Sequence, residues 1–115
     1  MLPRKYRINK SKDYNLIYKK ARRYVSRYFI LFVKENNGEF NRYGIVASKR
    51  IGKAVRRNKI KRQIRAIIMK EGSNLKQGLD LVIVCRTPIN KAGYYEIYKD
   101  LKKIFQKAKI CWSLY

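Results

Sequence analysis

Residues 48–65 read SKRIGKAVRRNKIKRQIR, and nine of the eighteen are Lys or Arg, with no acidic residue among them. Cations at that density do one kind of chemistry well, which is the neutralisation of a polyanion such as RNA. The charges are patterned. Ile60, Ile64, Ile67 and Ile68 recur at i, i+4, i+7 and i+8, one stripe of a helix that continues past Arg65. Lys61, Arg62 and Arg65 fall on the remaining circumference, with Asn58 near them. Residues 48–53 contain Gly52 and read as a basic loop leading into the helix. The plain alternative for such a run is a solvated charged face, and Asn58 reads equally as a local turn or cap residue.

Groups that make and break bonds are scarce. His is absent, which removes the commonest general acid or base and the commonest metal ligand. The seven carboxylates (Asp13, Glu35, Glu39, Glu71, Asp80, Glu96 and Asp100) are scattered, with no spacing that suggests a two-metal site. The chain carries no Gly-rich phosphate loop and no nucleophile elbow. Neither a catalytic residue nor a metal ligand set is therefore expected in the polypeptide. If it belongs to an enzyme, another component carries the chemistry. Cys85 and Cys111 form neither a disulfide framework nor a metal-site spacing, and Cys85, inside an apolar run, reads as a small buried residue.

The elements that must position the basic stretch follow from periodicity. Residues 1–10 are basic, include Pro3, and read as a mobile or RNA-contacting arm. Ser11 reads as an N-cap and Asp13 suits a first helical turn, with Tyr14, Ile17, Tyr18 and Ala21 marking one helix face. Residues 24–35 read as a strand. Phe29, Leu31 and Val33 point one way and Tyr28, Ile30 and Phe32 the other, so the strand is buried on both faces or uses one for binding. Asn36-Asn37-Gly38 is a turn signal, and residues 42–47 read as the returning strand of a hairpin. The basic helix runs to about Lys70, with Gly72 as its stop. Residues 79–86 (LDLVIVCR) read as a buried strand ended by Thr87-Pro88. Residues 94–109 form a last helix, with Ile97, Leu101, Ile104, Phe105 and Ala108 on its inner face and Lys99, Lys102, Lys103 and Lys107 on solvated faces. The conformation of residues 110–115 is left open. The result is a single α+β domain over residues 1–115, with a parallel strand pair expected around the basic helix.

Composition narrows the partner. Lys plus Arg number 30 against 7 Asp plus Glu, a net charge of +23, so self-repulsion calls for a partner of opposite sign. Nucleic acid comes first and an anionic membrane second. An aromatic fraction of 13% with clustered apolar residues argues against disorder. The start, MLPRKYRINK, has charge but no following apolar region, and the apolar run at 28–33 is too short to span a bilayer, so the cytoplasm is the expected compartment.

The stretch ASKRIGKAVRRNKIKRQIR resembles the signature of the bacterial ribonuclease P protein component. Ser48, Lys49, Arg50, Gly52, Ala54, Val55, Arg57, Asn58, Lys61, Arg62 and Arg65 fit it. Lys59 stands where the family usually has Arg, so charge is kept but the planar fork is lost. The likeness extends over nearly the whole chain, through Asp13-Tyr14, YFILF, LDLVIVCR with Thr87-Pro88, and the final Lys-rich helix. It implies an αβββαβα sandwich of the ribosomal protein S5 domain 2-like kind, with a left-handed β-α-β crossover where handedness rules alone predict a right-handed one.

The resemblance also implies the function. The partner is ribonuclease P RNA, which performs the chemistry with Mg²⁺ held mainly by that RNA, removing the 5′ leader from precursor tRNA. The protein, a monomer in the holoenzyme, docks on that RNA through the basic motif, drawing on Lys49, Arg50, Lys53, Arg56, Arg57, Asn58, Lys59, Lys61, Arg62 and Arg65. It holds the single-stranded leader in a cleft between the first helix and the sheet. By position that cleft draws on Tyr14, Tyr18 and Phe32, whose rings stack on bases of any identity. Core packing is the competing reading for all three. A small ribosomal protein or general RNA chaperone remains the alternative that composition leaves open.

Overall fold

The computed structural model describes residues 2–111. Three helices and four strands run in the order α1 (Ser11–Lys20), β1 (Arg22–Val25), β2 (Phe29–Glu35), β3 (Arg42–Val46), α2 (Ala54–Glu71), β4 (Leu79–Cys85) and α3 (Tyr94–Lys107), joined by short 3₁₀ turns. They form one mixed α+β domain, as expected. Of the terminal stretch left open, Ile110 is buried and Cys111 bridges to Leu75, while residues 112–115 lie outside the described residues.

The sheet order is β1-β2-β4-β3. β1 pairs antiparallel with β2, β2 antiparallel with β4, and β3 parallel with β4. The expected parallel pair around α2 is therefore present. The expected hairpin of β2 with β3 is not, because β4 lies between them. The tight hairpin is instead β1–β2, whose turn interrupts the single strand expected over residues 24–35. Ser26 N–H donates to the Phe29 carbonyl at 2.8 Å to close it. The Asn36-Asn37-Gly38 turn does form, with Asn37 in the left-handed region at φ 58°. It leads β2 out of the sheet toward β3 at the far edge.

The two parities of β2 face different layers. Phe29, Leu31 and Val33 are buried with Leu81 and Ile83 of β4 against α2 and α3. Ile60, Ile64, Ile67 and Ile68 of α2 are at most 2% exposed, and Ile97, Leu101, Ile104 and Phe105 of α3 are fully buried. Each such side chain removed from water contributes about 1.5–3 kcal/mol. On the opposite face a smaller cluster joins Ile17 of α1 to Ile8 and Val82, with Tyr14, Phe32, Val46 and Val84 packed around it. The sheet is thus sandwiched between α1 and the α2–α3 layer.

The N-terminal segment, which the sequence reads as a mobile or RNA-contacting arm, packs against the domain. Leu2 and Ile8 are each 4% exposed. Ile8 N–H donates to the Tyr43 carbonyl at 2.8 Å, so the segment runs alongside β3. Leu2 joins the larger core and Ile8 the smaller one, so the segment wraps the β3 edge. The cap of α1 also differs. Lys10 occupies the N-cap position without a side-chain bond, and Ser11 is already helical. Gly72 does end α2, but at φ −58°, and the chain continues into a 3₁₀ turn over Gly72–Asn74.

Candidate nucleic-acid interface

Five of the seven carboxylates are engaged by internal partners, and thirty cations far outnumber them, which leaves most of the positive charge unneutralised. Asp80 is buried and accepts Arg42 Nε at 3.0 Å and Nη2 at 2.7 Å, with Asn36 Nδ2 at 2.9 Å. That bidentate bond raises the Arg42 pKa further above its ordinary value. Asp13 reaches the same guanidinium at 3.6 Å. Asp100 accepts from Ser26 Oγ at 2.7 Å and from the Tyr28 amide at 2.9 Å. Glu71 accepts the Tyr98 hydroxyl at 2.9 Å and pairs with Lys102 at 3.6 Å. Glu96 accepts the Gly93 amide at 3.0 Å and the Tyr28 hydroxyl at 3.2 Å, bonds that lower its pKa. Among the described residues no three His, Cys, Asp or Glu side chains gather as a metal ligand set, and no helix is long and apolar enough to cross a membrane.

The basic stretch is built by α2 and the turn before it. Lys49 and Arg50 sit exposed on the 3₁₀ turn Lys49–Ile51, which Ile51 pins to the core at 1% exposure. Gly52 follows at φ +150°, a conformation that L side chains rarely adopt, and a Cβ there would come within 3.3 Å of Asn90 Oδ1. Lys53 then caps α2 without a side-chain bond, and no acidic residue lies in the first turn. The first-turn amides and the flanking cations give this end a positive potential that suits an anion. Lys53, Asn58, Lys59 and Arg62 are exposed; Lys61 and Arg65 are half-buried at the flanks of the isoleucine stripe.

Two arginines of the stretch are engaged inside the protein. Arg57 Nε donates to the Gly52 carbonyl at 3.1 Å, which holds its guanidinium beside the helix end. Arg56 reaches across to the 3₁₀ turn Thr87–Lys91. Its Nε donates to the Asn90 carbonyl at 2.9 Å, and its Nη2 to the carbonyls of Ile89 at 3.2 Å, Asn90 at 2.6 Å and Ala92 at 2.9 Å. Sequence reasoning groups Arg56 with the RNA-facing cations, whereas here it ties α2 to the segment after β4. Nothing in the sequence separates it from its neighbours, because its acceptors are backbone atoms over thirty residues away.

On the other face of the sheet, Tyr14, Tyr18 and Phe32 come together. Ring centroids of Tyr18 and Phe32 lie 5.0 Å apart in an edge-on arrangement, and those of Tyr14 and Tyr18 lie 6.3 Å apart. Tyr18 is 42% exposed, while Tyr14 and Phe32 are half-buried. The Tyr14 hydroxyl donates to the Ile8 carbonyl at 3.0 Å. Burial, and for Tyr14 also the neighbouring Tyr18, raises both phenol pKa values, so the rings are neutral at physiological pH. Two features of this face are absent from the sequence-level set. Ile30, Val84 and Val46 form a partly exposed apolar row, paired in register, beside Phe32. Arg23 is exposed and paired with Phe32 on β1. Strand parity was the signal for the first, but the row exists only because β4 lies between β2 and β3.

The two surfaces lie on opposite sides of the sheet and approach each other at the β3 edge. There a small hollow of about 100 Å³ is lined by Tyr14, Gly44, Ile45 and Arg65, with Arg7 and Ile8 of the N-terminal segment among the rest.

A family model described as Ribonuclease P matches residues 2–109 of the chain. The ribonuclease P protein component of a Pseudanabaena species is 41% identical over 112 residues, covering 96% of this chain and 97% of that protein. The protein of the same name from Syntrophomonas wolfei is 39% identical over 108 residues, covering 94% and 91%. The solved Staphylococcus aureus RNase P protein superposes with a TM-score of 0.88 at 34% identity, covering 92% of this chain and 97% of that one.

Proposed function

This chain belongs to the ribonuclease P protein family, and from that premise we propose how it works as the RNA-binding protein subunit of ribonuclease P. Its partner is ribonuclease P RNA. The RNA docks along α2, where Lys59 and Arg62 lie on the outer face, Lys61 and Arg65 on its flanks, and Lys49, Arg50 and Lys53 on the approach. Phosphates meet the uncapped first turn of α2 and the guanidinium of Arg57. The single-stranded leader of precursor tRNA lies on the opposite face, across Tyr18, Phe32 and the apolar row of Ile30, Val84 and Val46. Neutral phenols and aliphatic side chains stack and pack against bases of any identity, and Arg23 follows the backbone.

Chemistry stays with the RNA subunit, which holds most of the Mg²⁺. The protein's share is to order the leader and to supply positive charge where two polyanions must approach. The observation that carries this reading is the separation of the two surfaces by the sheet, so that one RNA docks without covering the other's site.

The experiment is reconstitution with a bacterial ribonuclease P RNA at near-physiological salt and Mg²⁺. The protein alone cleaves nothing, and added to the RNA it raises the cleavage rate and tightens precursor tRNA binding more than mature tRNA binding. Tyr18→Ala narrows the gap between precursor and mature tRNA. Equal affinity for the two substrates in the wild-type holoenzyme sinks the leader assignment and favours a general RNA chaperone.

A further inference from the structure

A second aromatic hollow lies at the far end of the α2 docking stripe. Arg65 is followed one helical turn later by Met69, which is 54% exposed although apolar. Met69 forms one wall of a hollow of about 280 Å³ whose other walls include Leu2, Tyr6, Phe40, Tyr43 and Gln77. Tyr6 and Phe40 meet edge-on at 5.0 Å, and Phe40 is 37% exposed. The hollow sits just below the size of pockets for drug-sized ligands, which begin at about 300 Å³.

Its chemistry favours a nucleobase. Lys5 Nζ lies 5.0 Å from the Tyr6 ring centroid and 5.8 Å from that of Phe40, so a cation sits beside two aromatic rings that line the hollow. The Gln77 amide is occupied: Nε2 donates to the carbonyls of Gly72 and Leu75, and Oε1 accepts the Asn41 amide. Glu39, the carboxylate next to Phe40, lines a different hollow with Asn36 and Arg42. The lining therefore offers aromatic and apolar surface with a cation beside it, the Gln77 amide already engaged and the Ser73 hydroxyl a further polar group, which suits an unpaired base held mainly by stacking.

We propose that this hollow receives one unstacked nucleobase of an RNA bound to the protein, with the base against Phe40, Tyr6 and Met69 and its phosphate toward Lys5. The proposal rests on the reading that RNA docks along α2, since Arg65 and Met69 share one face and the hollow continues that track. The base belongs to the ribonuclease P RNA, the RNA assigned to α2.

The test uses the full-length protein in the reconstituted complex, with 4-thiouridine placed in the ribonuclease P RNA in one arm and in precursor tRNA in the other. Irradiation is expected to crosslink residues 4–6, 40 or 69 in the ribonuclease P RNA arm, and crosslinks confined to the precursor tRNA arm, or none in either, overturn the proposal. Phe40→Ala is expected to weaken affinity for the ribonuclease P RNA about tenfold, with Met69→Gln weakening it in the same direction. Circular dichroism melts check that both variants fold. Wild-type affinity in both variants, alongside a loss in Arg65→Ala, overturns the hollow and leaves α2 docking in place. Wild-type affinity in all three removes the docking reading as well. An altered oligomeric state in Phe40→Ala with unchanged RNA affinity assigns the hollow to a second copy of the chain and overturns the proposal.

Discussion

The ring of Tyr14 lies directly over Gly44: a Cβ built at Gly44 would fall 2.5 Å from the Tyr14 hydroxyl oxygen and 2.8 Å from two ring carbons. Helix α1 can sit down on the sheet because β3 presents a hydrogen at this point. The ring is held there from two sides, by its bond to the Ile8 carbonyl and by its contact with Tyr18.

Gly44→Ala should therefore act through Tyr14. Overpacking of this kind costs about 1–3 kcal/mol, and the displaced ring disturbs the surface shared with Tyr18 and Phe32. The expected signature is non-additivity: Tyr14→Ala costs less stability in the Gly44→Ala background than in the wild type. Urea unfolding of the four proteins measures it, and additive costs would show that the two residues do not meet.

Arg56 and Arg65 carry the same charge at different work, and their alanine variants should separate. Arg56→Ala abandons three carbonyls of the segment after β4 and should lower stability by about 1.5–3 kcal/mol, as loss of charged hydrogen bonds does. Its effect on the salt dependence of RNA binding should be small. Arg65→Ala should leave the melting temperature nearly unchanged while reducing the slope of log affinity against log salt by about one. Thermal melts and a salt titration on each variant give both readouts.

Cys85 should be chemically silent in the folded protein. It is 7% exposed, and burial pushes its thiol up to about 12 from an ordinary 9.0, against a small opposing effect of the Lys61 charge. Between pH 9 and 12 the unfolded chain loses this proton while the folded one keeps it. The thiol's contribution to stability is thus intact below pH 9 and falls as pH rises through that window. In a Cys111→Ser background, alkylation at pH 9 should be slow in native buffer and fast in denaturant. Fast native alkylation would place the thiol at the surface.

Helices were legible in the sequence where one face had to be buried. The isoleucines of α2 and the Ile97 to Ala108 stripe of α3 point inward as their spacing requires. The strands were legible as strands but not as neighbours. Period-two alternation tells which face a residue takes and says nothing about the partner, so β3 was matched to β2 by a turn signal although β4 separates them. The docking of the N-terminal segment was not legible, because Leu2 and Ile8 are isolated among charges and a backbone bond to Tyr43 helps hold it. The site was legible as composition, in its cations and aromatics. Its division of labour was not, since the bonds of Arg56 and the contact of Tyr14 with Gly44 depend on atoms distant in the chain.

The position of β4 also governs when the sheet can assemble. It is the last strand in sequence, yet it pairs with both β2 and β3. On a growing chain, β1 and β2 can close as a hairpin, but β3 has no strand partner until residue 85 has emerged. Until then the isoleucines of α2 have only part of their floor, and the most cationic surface of the molecule is unsupported. Such late, non-local pairing slows folding. A chain stopped before β4 should therefore remain unfolded while keeping its appetite for polyanions, binding RNA in any register instead of docking on it.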